Sequence, residues 1–177
     1  MMNTIKTFLK KWPWAYRAVQ RVYYGALFLG ETKLFGTRIH EWAWKHRKDE
    51  SIDDLIKSTR HPHRALLLDA IGRFEPFHNV LEIGCNAGQN LYLLAKKYPQ
   101  VQFHGIDINQ RFVEAGNLWL KRENISNVSL AVGSADGLET FGDLAFDIAF
   151  TDATLMYVGS DKIGSVLRQI RRITRKA

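Results

Sequence analysis

Cysteine is nearly absent: the 177-residue chain holds one, Cys85, so no internal disulfide can form. Secreted domains of this size commonly carry cysteine pairs, and a lone thiol fits a reducing compartment. No apolar run approaches the ~20 residues that a membrane-spanning helix needs. The stretch Val22–Gly30 is short, is interrupted by Tyr23, Tyr24 and Gly25, and runs into no small-residue cleavage pattern. A secretory leader is therefore not expected, and the expected location is the cytoplasm. Acidic residues are scarce at the start of the chain. Residues 1–48 hold ten Lys/Arg against two Glu, a net of +8, whereas residues 49–177 carry a net of −1. The overall charge of +7 thus belongs to an N-terminal arm.

Hydrophobic residues make up 46% of the chain, enough for a packed core, which excludes wholesale disorder. Four of the five tryptophans (Trp12, Trp14, Trp42, Trp44) fall in the basic segment, so composition changes near residue 48. The expected organisation is a basic, aromatic-rich helical arm or lid over 1–75 and a core domain over 76–177. Residues 14–29 read as a helix entered at Pro13, with Ala15, Ala18, Val19, Val22, Ala26 and Leu29 at helical spacing. Three roles stay open for this arm. It packs on the core as a lid or a dimer contact. It lies on an anionic membrane surface, giving peripheral contact through residues 1–48 at the inner face. Or it binds nucleic acid through phosphate contacts and stacking. Trp42 and Trp44 are compatible with strand or helix and are expected as buried anchors, a substrate wall being the alternative. His61-Pro62-His63 has a metal-like look but no Cys or second acid beside it, so no metal is expected. The plainer reading is a helix start, with Pro62 in the first turn and Arg64–Ile71 following.

From residue 79 the pattern becomes regular. Asn79–Ile83 is a short apolar run that ends in a glycine turn, Gly84-Cys-Asn-Ala-Gly88, and a helical pattern through Leu91, Leu94, Ala95 and Tyr98 follows. Gln102–Asp107 predicts a second strand that ends in an acid. Gln110–Arg122 predicts a helix with Phe112, Val113, Ala115, Leu118 and Trp119 near one side. Val128–Val132 and Phe146–Thr151 predict two further strands, and Lys162–Thr174 a last helix. Strands alternating with helices imply right-handed βαβ units, a parallel sheet, and a ligand site beyond the carboxyl ends of its strands.

The residues at those ends carry the chemistry. Two glycines in the turn let a ligand approach the backbone closely. Asp107, nineteen residues after Gly88, has the position of a ribose-hydroxyl acceptor. The turn is not a dinucleotide fingerprint, since Asn86 replaces the middle glycine and nothing supplies the third. Glu82 stands where it would crowd a pyrophosphate, whereas a zwitterionic or cationic ligand tolerates it. Together these point to an adenosine-type ligand without a pyrophosphate. Cys85 is expected to fill space in the turn, with no histidine near it in sequence to activate it.

In this segment the chain resembles the class I S-adenosylmethionine-dependent methyltransferases. Val80–Asn90 looks like the first motif of that family and Gly105–Ile108 like its second. Gly133–Gly137 resembles the adenine-contacting stretch, and Phe146–Val158 the fourth-strand motif. The motifs come in the family's order over about residues 78–174. The resemblance implies a Rossmann-like α/β fold, a parallel sheet ordered 3-2-1-4 with helices on both faces, and S-adenosylmethionine as cofactor. It further implies that Gly84 and Gly88 shape the turn under the methionine moiety and that Asn86 takes a left-handed conformation. Asp107 would hold the ribose, and Ile108 would pack on the adenine. Ala135 would offer its N–H to the ring and Asp136 its carboxylate to the exocyclic amine. Thr151 and Asp152 would lie near the sulfonium and the methionine amino group. Helix capping is the alternative role for Asp107 and for Asp136.

Methyl transfer from a sulfonium is an in-line displacement, so much of the catalysis is positioning and exclusion of water. A base is needed only for a protonated acceptor. Asp152, Tyr157 and one of His61 or His63 are the candidates for it. Thr151-Asp-Ala-Thr154 is not the Asp/Asn-Pro-Pro-Tyr signature of enzymes that methylate base amines, which lowers nucleic acid as substrate. The arm resembles lids of small-molecule and polysaccharide-pathway enzymes, so the expected acceptor is a small molecule, a sugar or a lipid-linked group. The family's sheet has seven strands, and this chain stops where the fifth would begin. Strands 5–7 are therefore expected to be lacking, and the edge of strand four is expected to be open to a partner chain. The alternative to an active enzyme is a catalytically incomplete fragment that binds cofactor or a partner.

Overall fold

A computed structural model describes residues 38–47 and 51–175, with side chains for 41–47 and 51–175. The helix expected over 14–29 lies outside the described residues, as does most of the segment whose membrane, nucleic-acid and dimer roles were left open. Contacts divide the chain into two units, Met1–His40 and Glu41–Ala177. The description below concerns the second unit and the helix that leads into it. No helix among the described residues is long and apolar enough to cross a membrane.

The elements run α1 (Arg38–Lys45), α2 (Ile52–Lys57), a single tight turn Ser58–Arg60, α3 (His63–Gly72), β1 (Asn79–Ile83), α4 (Gln89–Lys97), β2 (Gln102–Asp107), α5 (Gln110–Arg122), β3 (Val128–Val132), β4 (Ile148–Phe150) and α6 (Ser160–Ile173). The four strands form one parallel sheet in the order β3-β2-β1-β4, as the sequence leads one to expect. Val80 pairs with Phe103 on one side and with Ile148 on the other, so β1 is central.

A central parallel strand is buried on both faces, which is why Asn79–Ile83 is almost continuously apolar. Val80, Leu91, Leu94, Phe103, Trp119 and Leu120 pack on one face. Leu81, Ile83, Ile106, Leu138, Phe146 and Ile173 pack on the other. Each such side chain contributes about 1.5–3 kcal/mol on burial. Glu82 shares the parity of Val80, so this one acid in β1 is carried into the interior, where it is 2% exposed.

Three elements differ from expectation. In α5 the buried stripe is Phe112, Val113, Gly116, Trp119 and Leu120, while Leu118 faces outward. The stripe is centred on Gly116 because a Cβ there would come within 2.6 Å of both the Ala87 carbonyl and Leu130 Cδ1. Trp42 is 64% exposed and stacks on His46, so it is not a buried anchor. The fourth strand is shorter than Phe146–Thr151. Phe146 pairs instead with the chain leaving α6: its N–H donates to the Ile173 carbonyl (3.0 Å) and its carbonyl accepts from Arg175 N–H (2.9 Å). The start of the edge beside β4 is thereby covered by this chain itself. Asp147 then accepts from the N–H groups of His78 (2.7 Å) and Asn79 (3.1 Å) and from Arg175 Nη1 (3.0 Å). Burial alone would raise its pKa, but these donors outweigh burial and hold it below the usual carboxylate range.

Candidate functional site

The floor of the site is the turn after β1. Gly84, Asn86 and Gly88 all have left-handed backbone, with φ of 78°, 54° and 81°. Gly is unhindered there and Asn is the next best tenant, so the spacing is dictated by conformation. The turn is fastened to β2, with the N–H groups of Gly84 and Cys85 both donating to the Ile106 carbonyl at 2.8 and 3.0 Å. The loop after β4 closes over it. A Cβ on Gly84 would lie 2.0 Å from Thr154 Oγ1.

Acids face one another across this floor. Glu82 Oε1 accepts from Asn90 Nδ2 at 2.6 Å, and the same amide reaches Asp152 Oδ2 at 3.3 Å. Burial pushes the Glu82 carboxyl up to about 8, against the opposing hydrogen bond from Asn90, with Asp152 and Asp107 adding to the rise and Arg64 resisting it. Arg64 donates to Asn90 Oδ1, to the Ser58 carbonyl (2.8 Å) and to Ser58 Oγ (2.9 Å). Asp107, at the end of β2, accepts from the N–H groups of Asn86 (2.8 Å) and Asn109 (2.9 Å). Its pKa is raised by burial, which those two bonds oppose. Asn109, not Asp107, caps α5.

The wall comes from the N-terminal helices. Asn109 Nδ2 donates to the carbonyls of Trp44 (2.8 Å) and Arg47 (3.1 Å), pinning the end of α1 beside β2. Trp44 also packs with Leu55, Ala87 and Phe112, meets Tyr157 edge-on at 5.0 Å, and lies under the Arg47 guanidinium. Lys162 Nζ bridges Asp136 (2.6 Å) and Glu41 (3.2 Å), joining α6 and the loop after β3 to α1. Floor and wall enclose a cavity of about 330 Å³, the size of a small-molecule pocket.

Of the residues expected at the site, Glu82, Gly84, Asn86, Asp107, Ile108, Ala135, Asp152 and Tyr157 line this cavity. Gly88, Asp136 and Thr151 do not. Gly88 sits at the start of α4, with Leu130 over the position of a Cβ. The carboxylate of Asp136 is taken by Lys162 and Ser134 Oγ. Cys85 is buried, and burial together with Glu82 and Asp107 pushes its thiol up, so it stays protonated filler. Sequence reasoning missed Arg64 and Asn90, and Trp44 was weighed mainly as an anchor. The helix start expected at Pro62 was the one available signal for Arg64. Among the described residues no cluster of three or more His, Cys, Asp or Glu is arranged to hold a metal.

Three oxygens at the carboxyl ends of β1 and β4 are buried without a hydrogen-bond partner among the described residues: Glu82 Oε2, Asn86 Oδ1 and Thr151 Oγ1. A buried acceptor left unpaired costs about 1–3 kcal/mol, more for a charged group. These acceptors suit a ligand that brings N–H donors and positive charge to the floor and hydroxyls to Asp107.

Residues 80–177 match a family model described as a methyltransferase domain. A tRNA (guanine-N(7)-)-methyltransferase of Porphyromonas gingivalis is 34% identical over 97 residues, which is 50% of this chain and 40% of that protein. An uncharacterized protein of Rickettsia prowazekii is 33% identical over 95 residues, 51% of this chain and 37% of its own length. The chain therefore spans roughly two fifths of these relatives. Among solved structures, a putative S-adenosyl-L-methionine-dependent methyltransferase from Methanococcus maripaludis superposes with a TM-score of 0.59 at 16% identity. That match covers 74% of this chain and 63% of the other, a likeness of fold.

Proposed function

The chain belongs to the methyltransferase domain family, and from that premise we propose that it transfers the methyl group of S-adenosylmethionine to a small-molecule, sugar or lipid-linked acceptor in the cytoplasm. The observation that carries this reading is the buried Glu82 Oε2, unpartnered at the cavity floor, with Asp107 across the turn at the end of β2. The cofactor supplies a methyl group on a positively charged sulfur, next to an ammonium group and a ribose. Those groups match the residues present. Glu82 and Asn86 would receive the ammonium, Asp107 the ribose hydroxyls, and Ile108 and Ala135 the adenine.

What the chain itself contributes is position and dryness. The left-handed turn fixes the floor, the loop carrying Thr154 lies over it, and Trp44 and Tyr157 close the side. Holding both reactants in line removes much of the entropic barrier, and excluding water strengthens each electrostatic contact. The acceptor preference is supported by the aromatic wall and by the small cavity volume. The RNA-modifying relative makes an exposed guanine the competing acceptor.

Calorimetric titration with S-adenosylmethionine tests the reading. Binding by the wild-type chain is expected, and Asp107→Ala is expected to weaken it ~10- to 150-fold, the equivalent of ~1.5–3 kcal/mol in charge-assisted hydrogen bonds. A folded chain that does not bind refutes it. Transfer of label to a guanine-containing RNA in preference to small hydroxyl or amine acceptors moves the substrate to nucleic acid.

A further inference from the structure

The motif His61-Pro62-His63, one of whose histidines is a candidate base from the sequence, meets the site through Asp152. His63 Nε2 lies 3.3 Å from Asp152 Oδ2, and Asp152 lines the cavity. On its far side His63 Nδ1 lies 2.6 Å from His61 Nδ1. Pro62 makes this geometry. His61 is extended (φ −70°, ψ 133°), Pro62 is helical, and α3 begins at His63, which folds the two rings to a centroid distance of 4.6 Å. The three side chains therefore run in file from the cavity outward through His63, which is already part-exposed, to the exposed imidazole of His61. Resting on the methyl-transfer reading above, we infer that Asp152 takes the proton of a hydroxyl acceptor and that His63 and His61 carry it to solvent.

Tautomers set the direction. His61 Nδ1 lies 3.4 Å from the backbone N of His63, placed to accept from it. The relay uses His63 Nδ1–H as the donor in the 2.6 Å contact and His63 Nε2, 3.3 Å from Asp152, as the nitrogen that takes the proton. During transfer the acceptor's oxygen–carbon bond forms as the carbon–sulfur bond breaks, and the bonding pair stays on sulfur. The hydroxyl proton goes to Asp152 and on to His63 Nε2. The Nδ1 proton moves to His61, whose ring releases one to water. One proton leaves the acceptor and one reaches solvent. The other groups around Asp152 are Arg64 on α3, the amide of Asn90 on α4 and Glu82 on β1. Asp152 is a catalytic residue in this account, and His63 and His61 act through it.

The relay is tested first without any acceptor. Long-range proton–nitrogen spectra of the full chain labelled in histidine, at about pH 8.5 where an ordinary imidazole is neutral, are expected to show His63 as the Nδ1–H tautomer, with assignment by His63→Gln. An Nε2–H tautomer overturns the relay, because His63 could then only donate to Asp152. The second arm offers S-adenosylmethionine with a panel of sugar, aliphatic and phenolic alcohols beside the matching amines, and follows S-adenosylhomocysteine. Transfer to alcohols is expected, reduced ~100-fold or more by Asp152→Asn with cofactor affinity little changed. A smaller loss is expected in His63→Gln, reversed by added imidazole. Transfer confined to amines and indifferent to Asp152→Asn overturns the inference while leaving the methyltransferase reading intact. A loss of cofactor affinity as large as the loss of turnover makes Asp152 a cofactor ligand and also overturns it. Failure of the wild-type chain to bind cofactor defeats the earlier reading; the tautomer still decides the relay.

Discussion

The floor of the cavity is backbone, and its wall is side chain. On the floor, three left-handed residues within five positions and a bifurcated bond to the Ile106 carbonyl leave each residue almost no choice of type. On the wall, Trp44, Arg47 and Arg64 are placed by contacts with residues far along the chain. The difference separates two tasks. A floor dictated by conformation holds a ligand through backbone shape, and a wall of side chains meets it through chemistry that a single substitution can change.

Changes on the floor should therefore abolish binding, whereas changes on the wall should tune it. Gly84→Val carries the largest expected effect. Its β-carbon would meet Thr154 at 2.0 Å in a left-handed conformation, strain worth about 1–3 kcal/mol before the clash is counted. Calorimetry should find no cofactor binding, and the melting temperature should fall. Retained binding would mean that the floor is as tolerant as the wall.

Asn109→Ala strikes where the two meet. It removes the cap of α5 and takes the Asn109 amide donor from the Trp44 and Arg47 carbonyls, of which Trp44 keeps the Arg47 N–H. Chemical denaturation should show a loss of about 2–4 kcal/mol.

Glu82→Gln sharpens the comparison through pH. The folded-state pKa of Glu82 lies above its unfolded value, pushed up to about 8 by burial. The folded chain thus binds the extra proton, and the stability Glu82 contributes is fully present below the ordinary carboxyl range and is lost as pH rises through about 8. The melting temperature of Glu82→Gln should rise relative to wild type from about pH 5 to pH 8 and then level off. A constant difference across that range would show the carboxyl to be ionised throughout.

The smallest effect belongs to the wall's outer fastening. Lys162→Met breaks ion pairs with Asp136 and Glu41 that are about one-third exposed. Each is worth ~0–1 kcal/mol, so stability should barely move. Cofactor affinity should fall less than in Asp107→Ala.

The same division explains what could be read in the chain. β1, β2 and β3 match their expected limits residue for residue, because local signals end them: the glycine turn at Gly84 after β1, the acid Asp107 closing β2, and Gly133 after β3. The turn was legible for the same local reason. β4 was drawn too long because Phe146 continues the apolar pattern, yet its hydrogen bonds go to the end of α6, a pairing that no window around residue 146 reveals. The wall was mostly illegible. Arg64 reaches Asn90 twenty-six positions away, and Lys162 reaches Glu41 across 121. Asp136 was assigned by its place in a motif, and a lysine two elements distant holds it.

Cys85 gives the molecule a built-in clock. It is the only thiol in the chain, it is 2% exposed, and its sulfur would lie 2.7 Å from a β-carbon at Gly105. At 2% exposure the thiol meets an alkylating reagent chiefly when the turn opens, so the rate at which label accumulates follows those openings. A bound ligand that clasps the turn slows the count, and the ratio of the two rates measures its grip without any acceptor, product or catalytic turnover.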